Sequence, residues 1–276
     1  TGYKILSRFV SRIAGKPGEV PQLAELNSKP FFEEVQMMAP RRLLRRVTLS
    51  LAGRLPTPSE QAAVQKGGLK AMDAIVDQMM QEEAFYERLQ EAFNDILLIR
   101  GYDGVPETAL SYEHFKNRNW YQKHDLSSAG DEDAQRKARY KLADDYREAM
   151  LREPLELIKY IVRNERPFTE IVTADYIMVT PYTSRGYGIY GELKDKFKDS
   201  TDPFEYLPAR LPSLKHRNGR SHQESATGFY PHTGLLSTFQ YLKRYPTTET
   251  NRNRLRVRMY FEHFLGIDIM ALAPRV

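Results

Sequence analysis

Cysteine is absent from this sequence. Its absence excludes disulfides, thiolate zinc sites, iron–sulfur clusters and haem attached through a C-x-x-C-H motif within these residues. Long apolar runs are missing too, none approaching the roughly 20 residues that cross a bilayer as a helix, so no membrane span is expected. Nor is there a G-x-S-x-G elbow, an H-E-x-x-H pair or a phosphate-binding glycine loop. The common hydrolase, zinc-protease and nucleotide-binding readings therefore have no warrant here. Tandem repeats and low-complexity tracts are likewise lacking, and there is a single tryptophan.

What the chain does have is aromatic weight and patterned charge. Its 276 residues include 17 Tyr and 13 Phe, enough for one large domain or two modest ones. The net charge of +5 is unevenly spread. Residues 1–60 carry ten basic against five acidic side chains, residues 61–206 carry 20 against 27, and residues 207–276 carry 11 against four. Basic ends and an acidic middle attract one another in a fold, and that is the simplest use of the pattern.

Hydrophobic spacing predicts helices for most of the chain. Leu43, Leu44, Val47 and Leu51 fall at helical intervals with Arg41, Arg42, Arg45 and Arg46 on the remaining faces, and Gly53 is placed to stop that helix. Thr57-Pro58-Ser59-Glu60 reads as a capping box opening the next helix. Apolar residues from Met72 to Leu97 fit two helices, or one kinked helix, with the break near Glu82-Glu83. Residues 111–135 lack a period and read as a long surface excursion with short helical pieces. A helix buried on one side follows around Ala149 to Val162, and Pro154 implies either a first-turn position or a kink. The β-branched run Ile171 to Thr180 suits a strand. Residues 181–230 hold much of the Gly and Pro, and helices return at Leu235–Leu242 and Asn253–Leu265, with Gly266 as the stop.

Three stretches carry a family likeness: Arg45-Arg46 through Leu55-Pro56-Thr57-Pro58; Glu153-Pro154-Leu155-Glu156-Leu157 with Arg166-Pro167-Phe168-Thr169-Glu170; and His232-Thr233-Gly234-Leu235-Leu236-Ser237 through Asn251-Arg252-Asn253-Arg254 to Phe264-Leu265-Gly266. Together they resemble the domains of unknown function that accompany planctomycete-type cytochrome c modules. That resemblance implies a helix ending before Pro181 rather than a strand. It also implies an exported chain, periplasmic or extracellular, seen as a mature or partial sequence. No cofactor is expected within this chain, but haem c is implied in an adjoining segment, with a c-type cytochrome among the partners.

The expected architecture is mostly α, an irregular multi-helix domain with long loops and at most a small β element. An N-terminal arm spans 1–40, a helical lobe 41–180, and a loop-rich region with C-terminal helices 181–276, packed as one body. Aromatic loop residues beside arginine are what protein interfaces favour. Arg166, Tyr182, Tyr187, Tyr230 and His232 are accordingly the expected contacts of a non-catalytic interaction or scaffold domain, with protein partners in a larger assembly.

The rival reading is an extracytoplasmic enzyme whose metal or acid–base site is built from His216, His222, Glu224 and His232, although their spacing matches no standard zinc pattern. His114, His124 and His263 read as half-buried or core histidines rather than ligands. The acidic runs Asp131-Glu132-Asp133 and Asp144-Asp145 read as solvated faces, because adjacent acids on a helix do not face each other. Nucleic-acid binding through the basic ends is a third class. It is disfavoured because Arg252, Arg254, Arg256 and Arg258 spread around a helix instead of forming one stripe.

Overall fold

The computed structural model describes residue 36 and residues 38–101, 105–214, 216–217, 220–221, 225, 227–251 and 253–272, the side chains of 216–217 and 220–221 excepted. The expected arm, residues 1–40, lies almost entirely outside the described residues, as do His222, Glu224 and Arg252.

Helix α1 (Pro40–Ala52) begins on a proline and buries Leu44, Thr48 and Ala52 at successive turns, leaving Arg41, Arg42, Arg45 and Arg46 exposed. Gly53 ends it at φ +62°, a left-handed conformation that glycine adopts without a Cβ clash, and its N–H donates to the Thr48 carbonyl. Thr57 then caps α2 (Pro58–Gly67): its hydroxyl accepts from Glu60 N at 3.2 Å while the Glu60 carboxylate accepts from Thr57 N at 2.7 Å. A short 3-10 turn leads to α3 (Met72–Met79), and α4 (Glu83–Leu97) follows. Leu44, Ala52, Val64, Met72, Ile75 and Met79 close a small core among the first three helices. Arg54 clamps its rim, donating to Glu60 and Glu82 at 2.6–3.0 Å.

Residues 111–135 form the expected surface excursion with short 3-10 pieces, mostly exposed but fastened to the body at Phe115 and Tyr121. Leu110, Phe115 and Tyr121 are buried in a second core. Arg139 donates to the carbonyls of Tyr121 and Gln122 at 2.6 and 2.8 Å, while Tyr121 and Arg147 donate to buried Glu107 at 2.9 and 3.0 Å. Two of its aromatic side chains, Phe115 and Tyr121, join a core despite the missing helical period.

The organising element is α5 (Glu132–Arg163), 32 residues long and about 48 Å at 1.5 Å per residue. Asp131 caps it, accepting from Ala134 N at 2.8 Å. Pro154 lies deep inside this helix, so the first-turn alternative is overturned. Its missing N–H leaves the Met150 carbonyl without a helical donor, and one residue earlier the Tyr206 hydroxyl reinforces the helix by donating to the Ala149 carbonyl at 2.7 Å. Every residue from Glu153 to Ile158 is buried. Leu142, Tyr146 and Met150 serve the second core; Leu155, Ile158 and Ile161 serve a third, shared with Ile171, Tyr176, Leu235, Tyr241 and Tyr245. Each such apolar side chain contributes about 1.5–3 kcal/mol on burial.

The stretch 171–180 divides. Helix α6 is a single turn (Glu170–Thr173), and β1 (Ile177–Val179) follows, so the helix implied up to Pro181 is corrected to a turn plus a strand. The period of two explains it: Ile177 and Val179 enter one core and Met178 the other. Beyond α7 (Pro181–Tyr187) and α8 (Tyr190–Leu193), strand β2 (Leu207–Ala209) pairs antiparallel with β1, Ile177 opposite Ala209 and Val179 opposite Leu207. A hairpin of β3 (His216–Arg217) and β4 (Arg220–Ser221), then α9 (Phe239–Arg244), α10 (Arg254–Leu265) and α11 (Ile269–Leu272), complete the chain. The fold is mostly α with a small β element, and no helix among the described residues is long and apolar enough to cross a membrane.

Candidate functional site

Where α5 ends, its last turn, the loops on either side of the α6 turn, α8 and β2 border an open groove of about 490 Å³. Tyr160, Arg166, Tyr176, Lys196, Arg210 and Phe229 supply its aromatic and basic lining. Glu170 organises one wall by accepting from both Arg166 Nε and the Tyr176 hydroxyl at 2.7 Å. Arg166, and then Tyr176, hold the Glu170 carboxyl below the usual carboxylate range. The Arg166 guanidinium lies 5.5 Å from the Tyr176 ring centre and 5.9 Å from that of Tyr160. Beside Tyr176, Arg210 pairs with Asp175 and sits 5.5 Å from the centre of the Phe229 ring, which is 40% exposed.

His232 is placed near this wall, buried to 9% exposure, where Leu211 N donates to its Nε2 at 3.1 Å. The accepting nitrogen fixes the tautomer, putting the proton on Nδ1, which has no partner among the described residues. Burial pushes the imidazole down to about 4, with Asp175 opposing and Arg210 adding to that shift. At neutral pH it is therefore an uncharged ring whose one lone pair is engaged by a backbone N–H, a poor arrangement for a base or a metal ligand.

The other expected contact residues fall apart. Arg166 is 39% exposed on its side chain and lines the groove. Tyr230 is half-buried, its ring 5.0 Å from His232 and 5.7 Å from Phe239. Tyr182, also half-buried, donates to the Thr201 carbonyl at 3.2 Å and lies edge-on to Trp120 at 5.4 Å. Tyr187 is only 5% exposed and belongs to the interior, because it falls on the inward face of α7 and donates to buried Glu153. As a surface contact it is corrected by that burial.

Of the expected metal set, His222, Glu224 and the side chain of His216 lie outside the described residues. No group of three or more His, Asp or Glu fit to hold a metal occurs among the described residues. His114 is half-buried and His124 exposed, with its ring 5.4 Å from Trp120. His263 packs 5.5 Å from Tyr245, its basicity lowered by burial. The basic ends differ from each other. The four arginines of α1 are exposed, whereas Arg256 donates to the carbonyls of Tyr245 and Leu242 at 2.6 and 2.9 Å and Arg258 pairs with Asp268 at 3.3 Å.

Sequence reasoning missed Glu153, Arg185 and Arg210, and took Phe229 only as one of the aromatic loop residues. A signal existed for Glu153, an acid amid an apolar run; Arg185 and Arg210 acquire meaning only from their neighbours in the fold.

Residues 23–125 match the family model described as PSCyt2, a protein of unknown function (DUF1549). That stretch takes in α1 to α4, with the Thr57–Glu60 cap, and its name carries the planctomycete cytochrome c association read from the sequence. The groove's whole lining lies beyond it. Comparisons with curated proteins and with solved structures gave no match.

Proposed function

We propose that this chain is a non-catalytic helical interaction domain of an exported bacterial protein, holding a c-type cytochrome or another redox protein in a larger assembly. The groove bordered by Arg166, Tyr176, Arg210 and Phe229 is the observation that carries the reading. Tyr and Arg are enriched among the residues that dominate binding energy, and an exposed phenylalanine beside a stacked guanidinium supplies apolar area and charge together. The mechanism is burial of these anchors against a partner, with the Arg–carboxylate pairs at the rim selecting it. The cytochrome partner and export rest on the family name, which attaches to residues 23–125.

The test is binding to c-type cytochromes purified from the same source, measured for the wild type and for Arg166→Ala and Phe229→Ala. Wild-type binding weakened at least about tenfold by each substitution supports the reading. Binding that both variants retain unchanged would overturn the groove as its site. Fractionation of the source cells tests export: the reading requires the protein outside the cytoplasm.

A further inference from the structure

We propose that Arg185 forms a carboxylate-binding site, filled by an acidic side chain of a protein partner. Arg185 stands on α7, which is fixed by a capping box: Thr180 Oγ1 accepts from Thr183 N at 3.1 Å, and Thr183 Oγ1 accepts from Thr180 N at 2.9 Å. The guanidinium carbon lies 3.8 Å from the Tyr190 ring centre, 5.2 Å from Trp120 and 5.8 Å from Tyr182. Of the five N–H groups a guanidinium carries, one hydrogen bond is made among the described residues, from Nη1 to the Pro181 carbonyl at 2.6 Å.

Four other stacked arginines are neutralised, whereas Arg118, 3.3 Å from the Tyr112 ring centre, donates to the Leu110 carbonyl and has no carboxylate among the described residues. Arg147, Arg152, Arg163 and Arg166 each combine a ring with a carboxylate partner. Arg185 has three rings and, among the described residues, no carboxylate; the nearby Asp145 is engaged by Lys141 at 2.7 Å. The side chain is half-buried, and burial makes its charge harder to hold. In the same corner the indole N–H of Trp120 has no acceptor among the described residues. A planar cation with free donors, walled by rings that displace water, matches the bidentate geometry of a carboxylate. The surrounding Trp and Tyr supply the contact area that makes such a cation an anchor.

The readout is Arg185 itself, so the proposal stands or falls apart from the groove and the cytochrome. The whole chain, labelled with ¹⁵N, is titrated with sodium acetate and with sodium chloride at matched ionic strength while arginine Nε–Hε resonances are followed. The expected result is a saturable shift of Arg185 with acetate that chloride does not produce. Arg185→Lys should lose it while its circular dichroism stays that of the wild type. A second arm uses a blocked tripeptide, acetyl-Ala-Glu-Ala-amide: affinity about tenfold above acetate supports a protein side chain as the source. Equal affinity overturns that source, leaving a site for small free carboxylates. An Arg185 resonance that acetate leaves unmoved, or moves no more than those of Arg166 and Arg210, overturns the site altogether.

Discussion

The Tyr187 hydroxyl donates to Glu153 Oε2 at 2.5 Å across 34 residues of sequence, both groups buried, while Glu153 Oε1 has no partner among the described residues. Burial pushes the Glu153 carboxyl from 4.5 up to about 8, with Tyr187 and Thr183 pulling it partly back. Below pH 4.5 the folded and unfolded chains are both protonated at this residue. As pH rises, the unfolded chain releases its proton first and the folded chain holds it to about 8, so this contribution to stability is lost across that window. Glu153→Gln is expected to flatten urea-unfolding stability between pH 4.5 and 8 and to exceed the wild type at pH 9 by several kcal/mol, each unit of pKa being worth about 1.4 kcal/mol. Parallel curves for the two proteins would contradict it.

His232 gives the opposite slope. Its folded value of about 4 lies below the ordinary 6.5, so its contribution is present above pH 6.5 and lost as pH falls to about 4. An NMR titration of the ring should show a midpoint near 4. His232→Leu should remove the acid-side slope and cost about 1–3 kcal/mol at pH 7, because Leu211 N is left buried without an acceptor.

Two glycines are required by close approach. Gly234 sits at φ +51°, and a Cβ there would fall 2.6 Å from the Ile171 carbonyl carbon and overlap its oxygen. The neighbouring Leu235 N donates to that same carbonyl at 2.7 Å, joining the turn to α6. A Cβ on Gly186 would meet the Tyr146 hydroxyl and lie 2.9 Å from its Cζ. Gly234→Ala is therefore expected to cost several kcal/mol. Tyr146→Phe should partly rescue Gly186→Ala and do nothing for Gly234→Ala, since the Tyr146 hydroxyl is not hydrogen-bonded among the described residues. A double-mutant cycle in thermal unfolding checks the coupling.

At the groove, stability and binding should separate. Arg166 makes its ion pair with Glu170 at the surface, where such pairs contribute little to folding. Arg166→Ala should leave the melting temperature unchanged and weaken partner binding at least about tenfold. A large loss of melting temperature without loss of binding would assign Arg166 a purely structural role.

Local signals were legible in the sequence because they act over a few residues. The Thr57–Glu60 box, the stops at Gly53 and Gly266 and the break before Glu83 all stand where spacing put them. The first-turn alternative for Pro154 failed because the helix around it extends well before it and is held by distant groups, among them Tyr206 on Ala149 across 57 residues. The β-branched content of 171–180 pointed to the strand at 177–179, but its partner β2 and the use of His232 by Leu211 are not revealed by periodicity. The His232–Ser237 run, conspicuous as a likeness, has a physical basis in Gly234 packing against Ile171. The groove was glimpsed only through Arg166, since Arg210 and Phe229 gain their significance from one another.

The most direct measurement is native mass spectrometry, with a visible absorption spectrum of the same sample, on the protein isolated from its source. The account predicts a complex that contains a haem-bearing polypeptide and a Soret band, and that dissociates when Arg166 and Phe229 are both replaced by alanine. A lone chain without a chromophore, or a complex indifferent to those substitutions, would contradict it.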